Sequence, residues 1–279
     1  MTTAPTTVEN TLRRRRWLQL AGVLARTAPA ALRAPLASVR GRRRIVVRAA
    51  AEVLAAAGVR VEVHASPVAW PLSAPGHLVV ANRVCWVDDL ALLTVVPGVP
   101  VAESDRPLGG GPARRAGAVR LDRSRPRTLP AAVGAVAGAL RGGTTVTVRP
   151  EDPDGARLGR FRPAFLQAAV DTGAPVCPVA VRYRADGGAP AGPLADGPLW
   201  RSVARVVGTR GLVVEVHLLP ALEPSGTSRR ELAVLAEYAV AAVLEGPDRR
   251  LATPAGAQRV PRGTSGSGRA QAGSDPAVR

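Results

Sequence analysis

Along most of the chain, short apolar runs and longer amphipathic stretches take turns. VRVEVHA (59–65) alternates as a half-buried strand does, and GHLVVAN (76–82) is a continuous apolar run of the kind a strand covered on both faces shows. VDDLALLTVV (87–96) follows with helical spacing. A short strand in PVAES, a strand at 118–121, a helix over 127–140 stopped by Gly142 and Gly143, and a strand at 144–148 continue the alternation. After a loop rich in Pro, Asp and Gly come a helix over 161–172, a strand over 175–183, an irregular stretch, a strand over 212–219 and a closing helix over 229–244. Ahead of this region, 11–32 and 44–57 read as two further helices. The pattern predicts an α/β fold: a mixed, largely parallel sheet covered by helices on its faces, preceded by N-terminal helices, with ligands at the loops that leave strand ends.

Three divisions follow. Residues 1–44 form a basic helical segment, 45–245 the α/β domain, and 246–279, rich in Gly, Ser, Pro and Ala without apolar periodicity, a disordered tail. With 279 residues and 46% hydrophobic content, the chain is long enough to bury its own core.

Charge sharpens the picture at the start of the chain. All 38 basic residues are Arg, against 21 acids, and 11 of them fall within residues 1–48, where Glu9 is the lone acid. So positive a segment suits an anionic partner. With eight aromatic residues in the whole chain, stacking platforms for nucleic acid are scarce, so no nucleic-acid partner is expected. Arg13–Arg16 beside Trp17 and Leu18 are the composition of a helix lying at an anionic headgroup layer; a solvated basic face packed on the domain fits equally well. The apolar run at 17–25 is nine residues, short of the ~20 a spanning helix needs. Cys85 and Cys177 lie far apart without ligand spacing, so no metal is expected and a reducing compartment is the default.

Three loops place polar residues just after strands. NRVCWVDD (82–89) puts Asp88 and Asp89 at a helix start, where carboxylates ordinarily serve the free amides and the dipole. GAVRLDR (117–123) flanks a strand with Arg120 and Arg123, and RPEDPDG (149–155) sets Glu151 after Pro150 in an ordinary turn. Each alone is unremarkable chemistry.

Together and in this order they resemble the glycerophospholipid acyltransferase family of the lysophosphatidic acid acyltransferase type. Its first block, NHxxWxD, is matched at Asn82, Trp86 and Asp88. Its second is matched by Gly117, Ala118, Val119, Leu121 and Arg123, its third, FPEG, at Pro150 and Glu151, and its fourth at Pro178. The resemblance covers about residues 45 to 245. It implies acyl transfer from an acyl thioester, acyl-CoA or acyl carrier protein, to a lysophospholipid such as 1-acyl-glycerol-3-phosphate, in phospholipid biosynthesis, by a peripheral protein on the cytoplasmic face of the membrane with no bound cofactor.

In that family a His deprotonates the acceptor hydroxyl and the Asp orients it, while the Arg of the second block and the Glu of the third hold the phosphate end. Carried over, Asp88 and position 83 are catalytic, and Asn82, Trp86, Arg123, Pro150 and Glu151 bind substrate. Here Arg83 stands at the base position. A guanidinium, with a pKa above about 12, accepts no proton at neutral pH. The alternative reading is therefore a catalytically impaired member that binds lipid. RPED also puts Arg149 and Asp152 where the family has an aromatic and a Gly. The three His stand in strand-like stretches, where packing is their usual role, and His77 is expected at the far end of its strand from Asn82, roughly 17 Å away.

Overall fold

The computed structural model describes residues 7–33, 39–68, 70–71, 76–103, 118–122, 125–151, 158–186, 194 and 197–246. Among them, seven strands form one sheet: β1 (Arg60–His64), β2 (Leu78–Ala81), β3 (Val99–Glu103), β4 (Val119–Leu121), β5 (Val146–Val148), β6 (Val176–Arg184) and β7 (Val213–Leu218). Their spatial order is β1-β7-β6-β2-β5-β3-β4, with β6 and β7 antiparallel and every other pair parallel. This is the mixed, largely parallel sheet the alternation predicts. Leu78, Val79, Val80 and Ala81 in β2 are all fully buried, as a central parallel strand covered on both faces requires.

Helices supply the two covers. On one face Leu20 and Val23 of α1 (Thr7–Arg33), Leu54 of α2 (Val39–Ala57), Ala91 and Leu92 of α3 (Val87–Val95) and Val206 of α6 (Leu199–Gly208) pack against Val79, Val179, Val181 and Val216. On the other, Val136 and Leu140 of α4 (Leu129–Arg141), Leu166 of α5 (Leu166–Thr172) and Leu232 and Ala236 of α7 (Arg229–Glu245) meet Leu78, Val80, Val146 and Val148. Alternation of side chains along each strand sends successive residues to opposite layers.

α1 is fastened by one side chain. Arg16 Nη1 donates to the carbonyls of Val207 (2.9 Å) and Thr209 (2.8 Å), serving the unpaired acceptors at the end of α6. Gly58 makes room for it: its φ is +74°, and a Cβ there would lie 2.5 Å from the Arg16 Cζ. The outward side of α1 carries Leu12, Trp17, Leu18 and Leu24, all exposed, with Leu18 at 73%. No described helix is long and apolar enough to cross a membrane.

Three expectations change. The stretch expected to be irregular contains α6, whose buried face of Ser202, Val206 and Val207 has helical spacing. The helix expected over 161–172 starts only at Leu166, because Phe161 bridges to Glu151 in antiparallel fashion and donates its amide to Glu237 Oε2 at 2.8 Å. The two leading helices begin several residues earlier than expected, at Thr7 and Val39. The expected tail, 246–279, lies outside the described residues except for Gly246.

Candidate functional site

β2 and β5 run parallel side by side, so the loops leaving their carboxyl ends, 82–86 and 149–151, emerge at the same edge of the sheet. Asn82 ends β2 with a side chain that behaves as backbone. Its Nδ2 donates to the Val181 carbonyl (3.0 Å) and its Oδ1 accepts the Val181 amide (2.7 Å), extending the pairing with β6 beyond the strand. At 3% exposure it positions the loop from below.

Asp88, in the first turn of α3, is fully buried. Its Oδ2 accepts the amides of Val84 (2.7 Å) and Cys85 (2.9 Å), and its Oδ1 accepts the hydroxyl of Tyr183 from β6. The same hydroxyl lies 3.4 Å from Cys85 Sγ, which donates to it. The carboxylate thus ties the turn that follows β2. Burial raises its pKa above the ordinary 3.8, with the Arg149 charge, the Tyr183 hydrogen bond and the Val84 amide pulling the other way. Burial likewise pushes the Cys85 thiol up to about 12, the Asp88 charge adding to it.

Glu151 does for the second loop what Asp88 does for the first. Its Oε2 accepts the Arg83 amide (2.6 Å) and its Oε1 the Gly159 amide (2.7 Å), joining the loop after β2 to the segment that follows β5. Burial raises its pKa, and the two amide bonds oppose that. Pro150 is buried, its carbonyl accepting the Arg162 amide at 2.9 Å. Trp86 is half-buried against the apolar layer beneath α3.

Arg83, Asp88, Pro150, Glu151, Asn82 and Trp86 are therefore brought to one edge, as their order along the chain implies. Arg123 and Gly117 lie outside the described residues, as does Asp152. A buried guanidinium faces the paired Asp residues: Arg149 Nη2 lies 2.6 Å from Asp89 Oδ1, its charge also acts on Asp88, and its side chain is 9% exposed. Burial works against its charge, but Asp89 and Asp88 more than offset that and hold it above its ordinary value. Tyr183 and Arg149 were not singled out as site residues by the sequence. An Arg directly after a buried strand and facing paired Asp residues was the signal for one; nothing local marks the other.

Asp88 is partnered by Tyr183 and backbone, and no imidazole shares the site. His77, 3% exposed, precedes β2 at its opposite end, 3.4 Å from Thr145 Oγ1 and edge-on to Trp70, the packed role expected of it. His217 lies on the sheet face opposite Tyr183, because Val214 and Val216 share the layer of Tyr183 and alternation turns Glu215 and His217 away.

A likeness to solved structures decides the fold. The crystal structure of the 1-acyl-sn-glycerophosphate (LPA) acyltransferase, PlsC, from Thermotoga maritima matches with a TM-score of 0.60 over 85% of this chain and 95% of that one. The chain shares that fold. Sequence identity to it is 22%. Two proteins named 1-acyl-sn-glycerol-3-phosphate acyltransferase, from Neisseria meningitidis serogroup B and Neisseria gonorrhoeae, are 34% and 33% identical over 147 and 149 residues. Those matches take in 51% and 52% of this chain and 56% and 57% of the relatives, so the chain spans little more than half the length of the proteins it matches. No protein-family model matches the chain.

Proposed function

We propose that the chain is an acyltransferase acting at the edge formed by the ends of β2 and β5. The acceptor is a lysophospholipid such as 1-acyl-glycerol-3-phosphate, the donor an acyl thioester, acyl-CoA or acyl carrier protein, and the product a phospholipid precursor. One observation carries the reading. Glu151 and Tyr183, from two distant segments, converge on the turn 83–88: Glu151 accepts the Arg83 amide, Asp88 accepts those of Val84 and Cys85, and the Tyr183 hydroxyl holds the Asp88 carboxylate. That a stretch of 147 residues aligns with named acyltransferases supports the same chemistry.

Transfer requires a group to take the acceptor's hydroxyl proton. Arg83 cannot, since guanidinium stays protonated, and Cys85, Tyr183 and Asp88 are buried and bonded to one another. The specific observation of Arg83 therefore favours a second reading, in which the chain holds the lipid substrates without turning them over. In either reading the protein works as a peripheral protein on the cytoplasmic face of an anionic membrane. Support for the membrane contact, though not for its side, comes from the exposed Trp17, Leu18 and Leu24 of α1 beside Arg13, Arg14 and Arg15.

Thioester cleavage by the purified full chain, with lysophosphatidic acid and acyl-CoA, separates the readings. Wild-type turnover that Asp88→Asn abolishes supports the enzyme. Turnover that emerges only in Arg83→His supports a site complete but for its base, and lysolipid binding without turnover in both forms supports the binding role. Absence of turnover and of lysolipid binding in all three proteins ends the proposal. For the membrane, Leu18→Glu is expected to weaken sedimentation with anionic vesicles while leaving zwitterionic vesicles unbound throughout; equal binding by the variant refutes the role of α1.

A further inference from the structure

Away from this edge, two of the chain's three histidines meet. β1 and β7 pair in parallel with Glu62 opposite Glu215 and His64 opposite His217. Residues two apart on a strand share a face, so Glu215 and His217 point the same way, and the neighbouring strand adds His64 beside them. The two imidazoles stack with centroids 4.2 Å apart and planes 7° from parallel. His64 Nε2 lies 3.6 Å from Glu215 Oε1 and His217 Nε2 lies 3.7 Å from Glu215 Oε2. One ligand atom from each of the three residues lies within 4.8 Å of the others, and both Nε2 atoms are shielded from solvent without a hydrogen-bond partner.

We infer that His64, Glu215 and His217 form a binding site for one divalent transition-metal ion of the zinc class. Two ligands at i and i+2 of one strand and a third from its neighbour give a three-donor face with an outward position left for water. Two imidazole nitrogens and a carboxylate oxygen suit Zn2+, Co2+ or Ni2+ and not Mg2+ or Ca2+, which take oxygen donors. The His64 side chain is 39% exposed, so an ion enters from solvent at the sheet edge. Arg184 Nη2 (2.5 Å from Oε1) and Arg182 Nε (3.3 Å from Oε2) hold the Glu215 carboxylate in place, as outer partners of a ligating carboxylate do. Their charge also opposes a dication, so affinity falls well short of a closed structural zinc site. Sequence spacing hides the cluster, because its two strands are separated by some 150 residues and met only through the β1–β7 pairing.

The bound ion would clip the edge strand β1 to β7. Titration of the tag-free, chelator-stripped full chain with Co2+ tests the site through the visible ligand-field absorption, with Zn2+ as competitor. One ion per chain is expected, displaced by Zn2+ and indifferent to excess Mg2+. His64→Ala and His217→Gln should each weaken binding by at least the roughly 10- to 100-fold that loss of an outer partner costs. Zn2+ should raise Tm of the wild type, reversibly by chelator, and not that of His64→Ala. His64 sits half-exposed on an edge strand, so this variant keeps its fold, checked by circular dichroism, even if His217→Gln does not. No uptake of Co2+, or uptake that His64→Ala leaves unchanged, overturns the inference.

Discussion

Replacing Asp88 distinguishes a carboxylate that organises a loop from one that merely sits beside it. The wild-type side chain accepts three hydrogen bonds, from the amides of Val84 and Cys85 and from the Tyr183 hydroxyl, in a site with no solvent to substitute for them. Asp88→Asn preserves the shape. Its carbonyl oxygen can keep both amides, and its NH2 faces a hydroxyl that can rotate and accept. What is lost is charge assistance, partly offset because a neutral amide costs less to bury; the net change is about 0–2 kcal/mol. Asp88→Ala instead leaves two amides and a hydroxyl buried without an acceptor. At about 1–3 kcal/mol for each such group, a loss of roughly 3–9 kcal/mol follows. Guanidinium chloride unfolding of the three proteins reads the difference directly. If Ala and Asn fall within about 1 kcal/mol of each other, the hydrogen bonds do not organise the loop and the reasoning is wrong.

The pH dependence of the same pair has a defined sign. Burial raises the folded-state pKa of Asp88 above 3.8 and of Glu151 above 4.5, so the folded chain binds more protons than the unfolded one just above those values, and stability falls as pH rises through that window. The margin of wild type over Asp88→Asn is accordingly expected to shrink as pH rises above about 4 when denaturation midpoints are compared. Both thiols are buried and pushed up to about 12, so a thiol reagent at mildly alkaline pH should label neither in the native protein and both of the 2 cysteines after unfolding; labelling of native Cys85 contradicts the packing described. Arg16→Met removes two charge-assisted bonds to the end of α6 and should cost about 1.5–3 kcal/mol, lowering Tm by several degrees. Gly58→Ala, strained at φ +74° and colliding with Arg16, should lower it in the same direction and add little in the double variant; fully additive losses would separate the two residues.

Much of the sheet is legible because its strands differ in kind from its helices. LVVA is apolar throughout and VTV sets a single Thr147 between two buried valines; both are short and bounded by turn residues, which is how strands covered on both sides read. α6 was masked by its surroundings: ten residues between Pro-rich and Gly-bounded segments, although Leu199, Val203, Val206 and Val207 have the helical period. The site is half legible. Asn82, Asp88 and Glu151 are recognisable as polar residues at strand ends, yet what they do depends on contacts that span long separations. Asn82 reaches Val181 across 99 residues, Glu151 reaches the Arg83 amide across 68, and Tyr183 reaches Asp88 across 95. Residue type announces that each has acceptors to spend. Only the strand order says on which donors.

The Arg16 contact carries a warning for anyone trimming this chain. It joins the leading helix to carbonyls 191 and 193 positions later, so deleting α1 to obtain a better-behaved fragment also strips the terminus of α6 of its donor and uncovers the side of the domain on which Leu20 and Val23 rest. Loss of activity in such a fragment would then report a weakened scaffold as readily as a missing lipid contact, and its melting curve has to be read before its kinetics.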